Sequence, residues 1–275
     1  MTNLFVLIFF ISTLHLYSGS ESKSKIDSLK LELSVANRDT NHVFILSLLS
    51  YELEASNTRL GIKYGLEGID LAKQIKYKRG EADCNLYVGR NYFAEKDFDK
   101  ALLYYNKSLK LYKLIGDKKA ISYNYEYFAN LYSHQSNYPL LLKYLNRILR
   151  INKELDNKTQ IADQLNNIGL VNLFLSKYNE ALESFTESYL LNSELKDTIA
   201  IGFNLVNIAR VYKELNEFNK AVDNFNKGLT IFKNANDIYN ISRIYFFLAE
   251  IYFQQNRIQS LDYVNQAIDV IPVDS

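Results

Sequence analysis

The chain has 275 residues, 32 basic against 31 acidic, a formal net charge of +1 and 48% hydrophobic residues. Near-neutral charge without a Lys/Arg stripe excludes the electrostatic footprint of a nucleic-acid reader. A single cysteine, Cys84, and three histidines, His15, His42 and His134, allow no internal disulfide and no zinc-ligand spacing, so neither a metal nor another cofactor is expected.

The first element is the apolar run Leu4 to Tyr17, 14 residues long. That is shorter than the roughly 20 residues that span a bilayer and suits the core of a signal peptide. Ser18, Gly19 and Ser20 supply small residues for cleavage, although no Lys or Arg precedes the run. The expectation is a signal peptide over residues 1–20, or an uncleaved anchor through residues 4–17. The protein would then be exported, to the periplasm or cell envelope, and would touch a membrane only through that anchor.

Residues 21–41 are predicted to form an N-terminal capping helix, since Leu29, Leu31 and Val35 stand one period of 40 before Ile69, Leu71 and Ile75. From residue 42 to 275 the chain repeats, in units at about 42–81, 82–121, 122–161, 162–201, 202–241 and 242–275. The pattern is plainest where Leu165, Ile168, Gly169, Ala181, Phe185 and Ser188 return 40 positions later as Leu205, Ile208, Ala209, Ala221, Phe225 and Gly228. Small residues at Gly89, Ala129, Gly169, Ala209 and Ala249, and again at Ala101, Ala181 and Ala221, let two helices approach, while Tyr105, Leu145, Phe185 and Phe225 fill the gap. Turns within units fall near Asp97, Asn137, Lys177, Glu217 and Asn256. Joints between units fall at Gly116-Asp117, Asp156-Asn157, Lys196-Asp197 and Asn236-Asp237. Each unit therefore reads as helix, turn, helix, and the fold as all-α.

The run Leu-x-x-Ile-Gly/Ala-x-x-Tyr, followed twelve residues after the Gly/Ala by Ala-x-x-x-Phe-x-x-small, resembles the tetratricopeptide repeat over roughly Asn41 to Pro272. Two departures are general. The period is 40 rather than 34, and the family's tryptophan is replaced by Asn85, Tyr125, Leu165, Leu205 and Tyr245. The resemblance implies a right-handed α-α superhelix of about six units behind the capping helix, with first helices lining a concave groove. It also implies a protein or extended peptide as partner.

Carried over residue by residue, the groove-facing places hold Tyr87, Arg90, Tyr127, Asn130, Asn167, Asn207, Arg210, Arg243 and Phe247, with Leu170 beside Asn167. Tyr, Phe and Arg are interface-anchoring types, and equally the types that pack repeats together. Asn167 and Asn207 recur at one place in successive first helices, where an amide offers a peptide backbone both donor and acceptor. The family's clamp for a C-terminal carboxylate needs a Lys/Arg pair that is missing beside Asn166, Leu170 and Val206. Arg90, Arg210 and Arg243 could favour an acidic ligand or be paired with neighbours such as Glu214 and Glu250.

No nucleophile stands beside a base and no Gly-rich phosphate loop follows a strand, so the chain is not expected to be an enzyme. Two functions fit: a standalone binding scaffold, or the sensory portion of a signalling system similar to bacterial histidine kinases and regulators without its output domain.

Overall fold

The computed structural model describes residues 19–255 and 258–270. The apolar run at residues 4–17, and with it the signal-or-anchor expectation, lies outside the described residues. Among those residues there are thirteen α-helices and no strand, so the all-α reading holds. They are α1 (Gly19–Val35), α2 (Thr40–Glu52), α3 (Thr58–Gln74), α4 (Lys78–Ala94), α5 (Phe98–Ile115), α6 (Lys118–His134) and α7 (Tyr138–Glu154). After these come α8 (Lys158–Phe174), α9 (Tyr178–Leu195), α10 (Thr198–Glu214), α11 (Phe218–Asn234), α12 (Ile238–Gln254) and α13 (Gln259–Asp269).

Nine of the helices, α3 to α11, stop by one device. Lys76, Lys96, Gly116, Ser136, Asp156, Ser176, Lys196, Asn216 and Asn236 all have left-handed backbone, with φ between 50° and 72°. Each stands 20 residues from the next, so the turns within and between units are alike and the 40-residue period is a doubled helix-and-turn of 20. After each such residue the chain closes back on the helix it leaves, as in Asp97 N–H to Tyr92 C=O at 2.9 Å and Lys177 N–H to Asn172 C=O at 2.8 Å. The next helix is then capped by a side chain where the residue allows it. Asp117, Asp197 and Asp237 accept from the N–H three residues on at 2.9, 2.9 and 3.0 Å, whereas Lys177 and Glu217 make no such bond.

The contacts divide the described residues into two compact units, one ending at Ile151 and one beginning at Asn152. In the first, a Cβ added to Gly89 would lie 2.6 Å from the Tyr105 ring, which is why that place is small and its counterpart large. The opening pair exchanges these sizes: Leu49 is fully buried where later units have Gly or Ala, and Gly65 stands where they have Tyr, Leu or Phe. A Cβ on Gly65 would meet Val88 at 2.4 Å. α1 packs on α2 through Ile26 and Leu29. Leu31 and Val35, expected to share that register, are 71% and 80% exposed because they fall on the outer side of the helix.

In the second unit Gly169 meets Phe185 as Gly89 meets Tyr105, with a Cβ-to-ring distance of 2.6 Å. Ala181, Phe185, Ala209, Ala221 and Phe225 are fully buried. A buried polar chain ties α8, α9 and α10: Asn192 donates to Asn204 (2.8 Å), Asn204 to Ser188 (3.0 Å) and Ser188 to the Ala162 carbonyl (2.8 Å). Each member has a partner, so the network fixes register at no cost in orphaned groups.

Candidate functional site

In the unit ending at Ile151 the expected groove residues are occupied with one another. Arg90, on α4, forms an ion pair with Glu54 at 2.5 Å and donates to the Tyr127 hydroxyl of α6 at 3.0 Å. Its guanidinium lies 4.5 Å from the Tyr51 ring centre and 5.1 Å from that of Tyr127. Tyr127 in turn donates to Tyr123 at 2.6 Å, and Tyr87 stands edge-on to Tyr51 at 5.3 Å. Burial opposes the Arg90 charge, but Tyr127 and Glu54 more than offset it, so the guanidinium stays above its ordinary pKa. Asn130 is half-buried on the same helix as Tyr127. Tyr87, Arg90 and Tyr127 thus join neighbouring repeats through Tyr51, Glu54 and one another, although the Arg90 Nε is left buried without a partner.

The unit beginning at Asn152 differs. Stepping by three repeats, or 120 residues, carries Arg90 to Arg210, Tyr127 to Phe247 and Glu54 to Phe174. The stacked geometry persists, with Arg210 5.7 Å from the Phe247 ring centre. Its two polar partners do not, because neither phenylalanine carries an oxygen. Arg243 adds a second guanidinium 6.0 Å from the same ring. Phe225 stacks on Phe247 at 5.3 Å and 16°, which holds the ring in place.

Both arginines are oriented by an asparagine one turn earlier: Arg210 donates to the Asn207 Oδ1 at 3.1 Å and Arg243 to the Asn240 Oδ1 at 3.1 Å. Asn207 also donates to Asn166 at 2.9 Å, linking α10 to α8. Among the described residues neither arginine makes an ion pair. Glu214 and Glu250, the acids named as their neighbours, are drawn to Lys213 instead, at 3.5 and 2.6 Å. Burial first, and then the charge of Arg243, pull Arg210 down to about 10, with Glu214 opposing only in part. The group remains charged at neutral pH, but it is held where its charge is poorly compensated.

Asn167 is 6% exposed and makes no hydrogen bond among the described residues. One turn earlier on α8, the Asp163 carboxyl is pushed up by burial and by Asp197. The structure therefore brings Asn207, Arg210, Arg243 and Phe247 together and leaves the Asn167 amide uncommitted. Sequence reasoning weighed Asn166 only for a carboxylate clamp, and missed Asn240 and Lys213. The signal for Asn240 was present as the spacing Asn-x-x-Arg, which occurs at both 207–210 and 240–243.

A cleft of about 650 Å³ opens between α9, α10 and α11, lined by Tyr189, Ile201, Leu205, Ile208 and Tyr212 among others. None of the nine expected residues lines it. At 100° per residue its α10 residues lie roughly 160° around the helix from Asn207 and Arg210, so the two faces are distinct. Cys84 is buried against the Val43 carbonyl and its thiol is pushed up by burial, which makes it inert packing.

Residues 164–234 match the family model of the tetratricopeptide repeat. No curated protein matches the chain. Among solved structures, the chain is similar to a Signal Transduction ATPase with Numerous Domains that has a tetratricopeptide repeat sensor, from Pyrococcus horikoshii. The TM-score is 0.75 at 15% identity, covering 90% of this chain and 38% of that one. It is similar to the apo form of RapI, with a TM-score of 0.72 at 18% identity over 91% and 74% of the two chains. It is also similar to a Rap protein complexed with Competence and Sporulation Factor, with a TM-score of 0.53 at 16% identity over 91% and 75%. The chain is an all-helical array of tetratricopeptide-like repeats.

Proposed function

We propose that the chain is a non-catalytic scaffold that binds a protein or an extended peptide on the first helices of its C-terminal unit, α8, α10 and α12. The observation that carries this is the contrast between two repeat-equivalent arginines: Arg90 is ion-paired with Glu54 and bonded to Tyr127, whereas Arg210, with Arg243, makes no ion pair and stands over Phe247 with its charge only partly compensated. Partly compensated, oriented donors beside an aromatic surface are a recognition surface rather than a stabilising one. The free Asn167 amide adds a group that can both donate and accept along a peptide backbone. Among the described residues no group of three or more His, Cys, Asp or Glu could hold a metal ion. The fold is shared with a Rap protein complexed with a named factor, which supports a ligand in such an array.

Selection of linear dodecapeptides from a display library tests this reading. The wild-type protein is expected to return binders that an Asn167→Ala, Asn207→Ala double variant no longer holds. A selection that returns none, or binders indifferent to the double variant, overturns it.

A sensory role is the second reading, favoured by the likeness to a tetratricopeptide repeat sensor within a signal transduction ATPase. It makes the same surface the input of a separate output protein. We further propose export directed by residues 1–20, tested by the mass of the mature N-terminus in the native host; an intact Met1 overturns cleavage.

A further inference from the structure

The array contains its own example of a carboxylate against an arginine stacked on an aromatic ring. At Arg90 the carboxylate is Glu54, 2.5 Å away. At the equivalent Arg210 the place of Glu54 is taken by Phe174, and no other acid replaces it. Two further facts make this more than a missing pair. A second guanidinium, Arg243, is brought to the same Phe247 ring, although like charges gathered on one apolar surface repel. Each guanidinium also spends one donor on an asparagine carbonyl at 3.1 Å, an arrangement that fixes direction and leaves most of its five N–H groups for something else.

We propose that Arg210 and Arg243 together hold one carboxylate of the bound peptide, seated against Phe247, so that the preferred ligand is an acidic peptide. This rests on the peptide-binding reading above. The carboxylate supplies from outside the charge that Glu54 supplies from within the other unit, and paired N–H donors to its two oxygens give both strength and direction. Its source is either an Asp or Glu side chain or the peptide's C-terminus. The chemistry is the same, and the test separates them. Lys213 pairs with both Glu214 and Glu250, and Glu214 offsets only part of the Arg210 charge.

The dodecapeptide library provides the probe. Selected peptides are synthesised with each Asp or Glu changed to its amide, and with the C-terminus free or amidated. One of these changes is expected to weaken binding to the wild-type protein by at least about tenfold, since it removes a charge-assisted pair of hydrogen bonds. If the side-chain change does so, the source is an acidic residue; if the terminal change does so, it is the C-terminus. Arg210→Met and Arg243→Met are each expected to lose the same factor and to bind acid and amide peptides alike. Arg210→Met should also melt no lower than the wild type, because it removes a poorly compensated buried charge. A purely structural arginine would melt lower and leave the acid preference intact. Binders indifferent to every carboxylate, or Met variants that still discriminate acid from amide, overturn this inference while leaving the peptide-binding reading in place. A wild-type selection with no binder overturns both.

Discussion

Arg90 and Arg210 occupy the same place three repeats apart, and among the described residues only Arg90 forms an ion pair with an acid. The pair with Glu54 lies on a side chain that is 17% exposed for Arg90 and 25% for Glu54, so water screens it little. Glu54→Gln should therefore leave Arg90 as an unpaired cation and cost about 2 kcal/mol of stability, measured by urea unfolding. A loss below about 0.5 kcal/mol, the range of an exposed pair, would show that Tyr127 and Tyr51 suffice to hold Arg90.

The helix pairs depend on one small residue facing one large ring. Gly169→Leu should overpack α8 against Phe185 and cost about 1–3 kcal/mol. Gly169→Ala gains helix propensity of about 1 kcal/mol, yet its Cβ would stand 2.6 Å from the ring. It should still melt lower than the wild type. An alanine variant that melts higher would mean that Phe185 shifts freely and that the Gly-to-ring contact is not a register lock.

Turn chemistry offers two stabilising changes. Lys177 precedes α9 without a capping bond, while aspartates at equivalent joints make one, so Lys177→Asp should add about 1 kcal/mol. Lys96 holds a φ of 63° with a side chain that disfavours it, and Lys96→Gly should add up to about 1 kcal/mol. Both are read from melting curves. A neutral result at Lys96 would indicate that the extra freedom of glycine in the unfolded chain cancels the relief.

Asn167 and Asn207, one repeat apart, should separate in stability. Asn167 makes no hydrogen bond among the described residues, so Asn167→Ala is expected to leave the melting temperature within error. Asn207 bonds Asn166 and Arg210, so Asn207→Ala should cost about 1 kcal/mol. Equal losses would assign Asn167 a structural partner and remove it from the binding surface.

The repeat was legible in the sequence because the residues that set it are constrained in size: Gly89 and Gly169 are small since Tyr105 and Phe185 touch them. The halving of that repeat to 20 residues was not legible. Its marker is a left-handed backbone, and eight of the nine positions carry Lys, Ser, Asp or Asn, none of which announces φ as glycine does. The site was half legible. Stepping by 40 gave Asn207, Arg210 and the place of Phe247, while Arg243, also expected in the groove, reaches the same ring from 33 residues beyond Arg210, about two helical turns short of the repeat step. Leu31 and Val35 fitted the period and are exposed nonetheless, since among the described residues α1 packs on α2 and spends only one face on it.

The claim that matters most is which face of the C-terminal unit meets the ligand. A photoreactive benzophenone residue placed at Tyr239, 64% exposed on α12 beside Arg243, tests it against one placed at Tyr189 in the α9–α11 cleft. With a selected dodecapeptide bound, crosslinking from position 239 and none from 189 is the predicted result. Crosslinking from position 189 alone would place the ligand in the cleft and contradict the account.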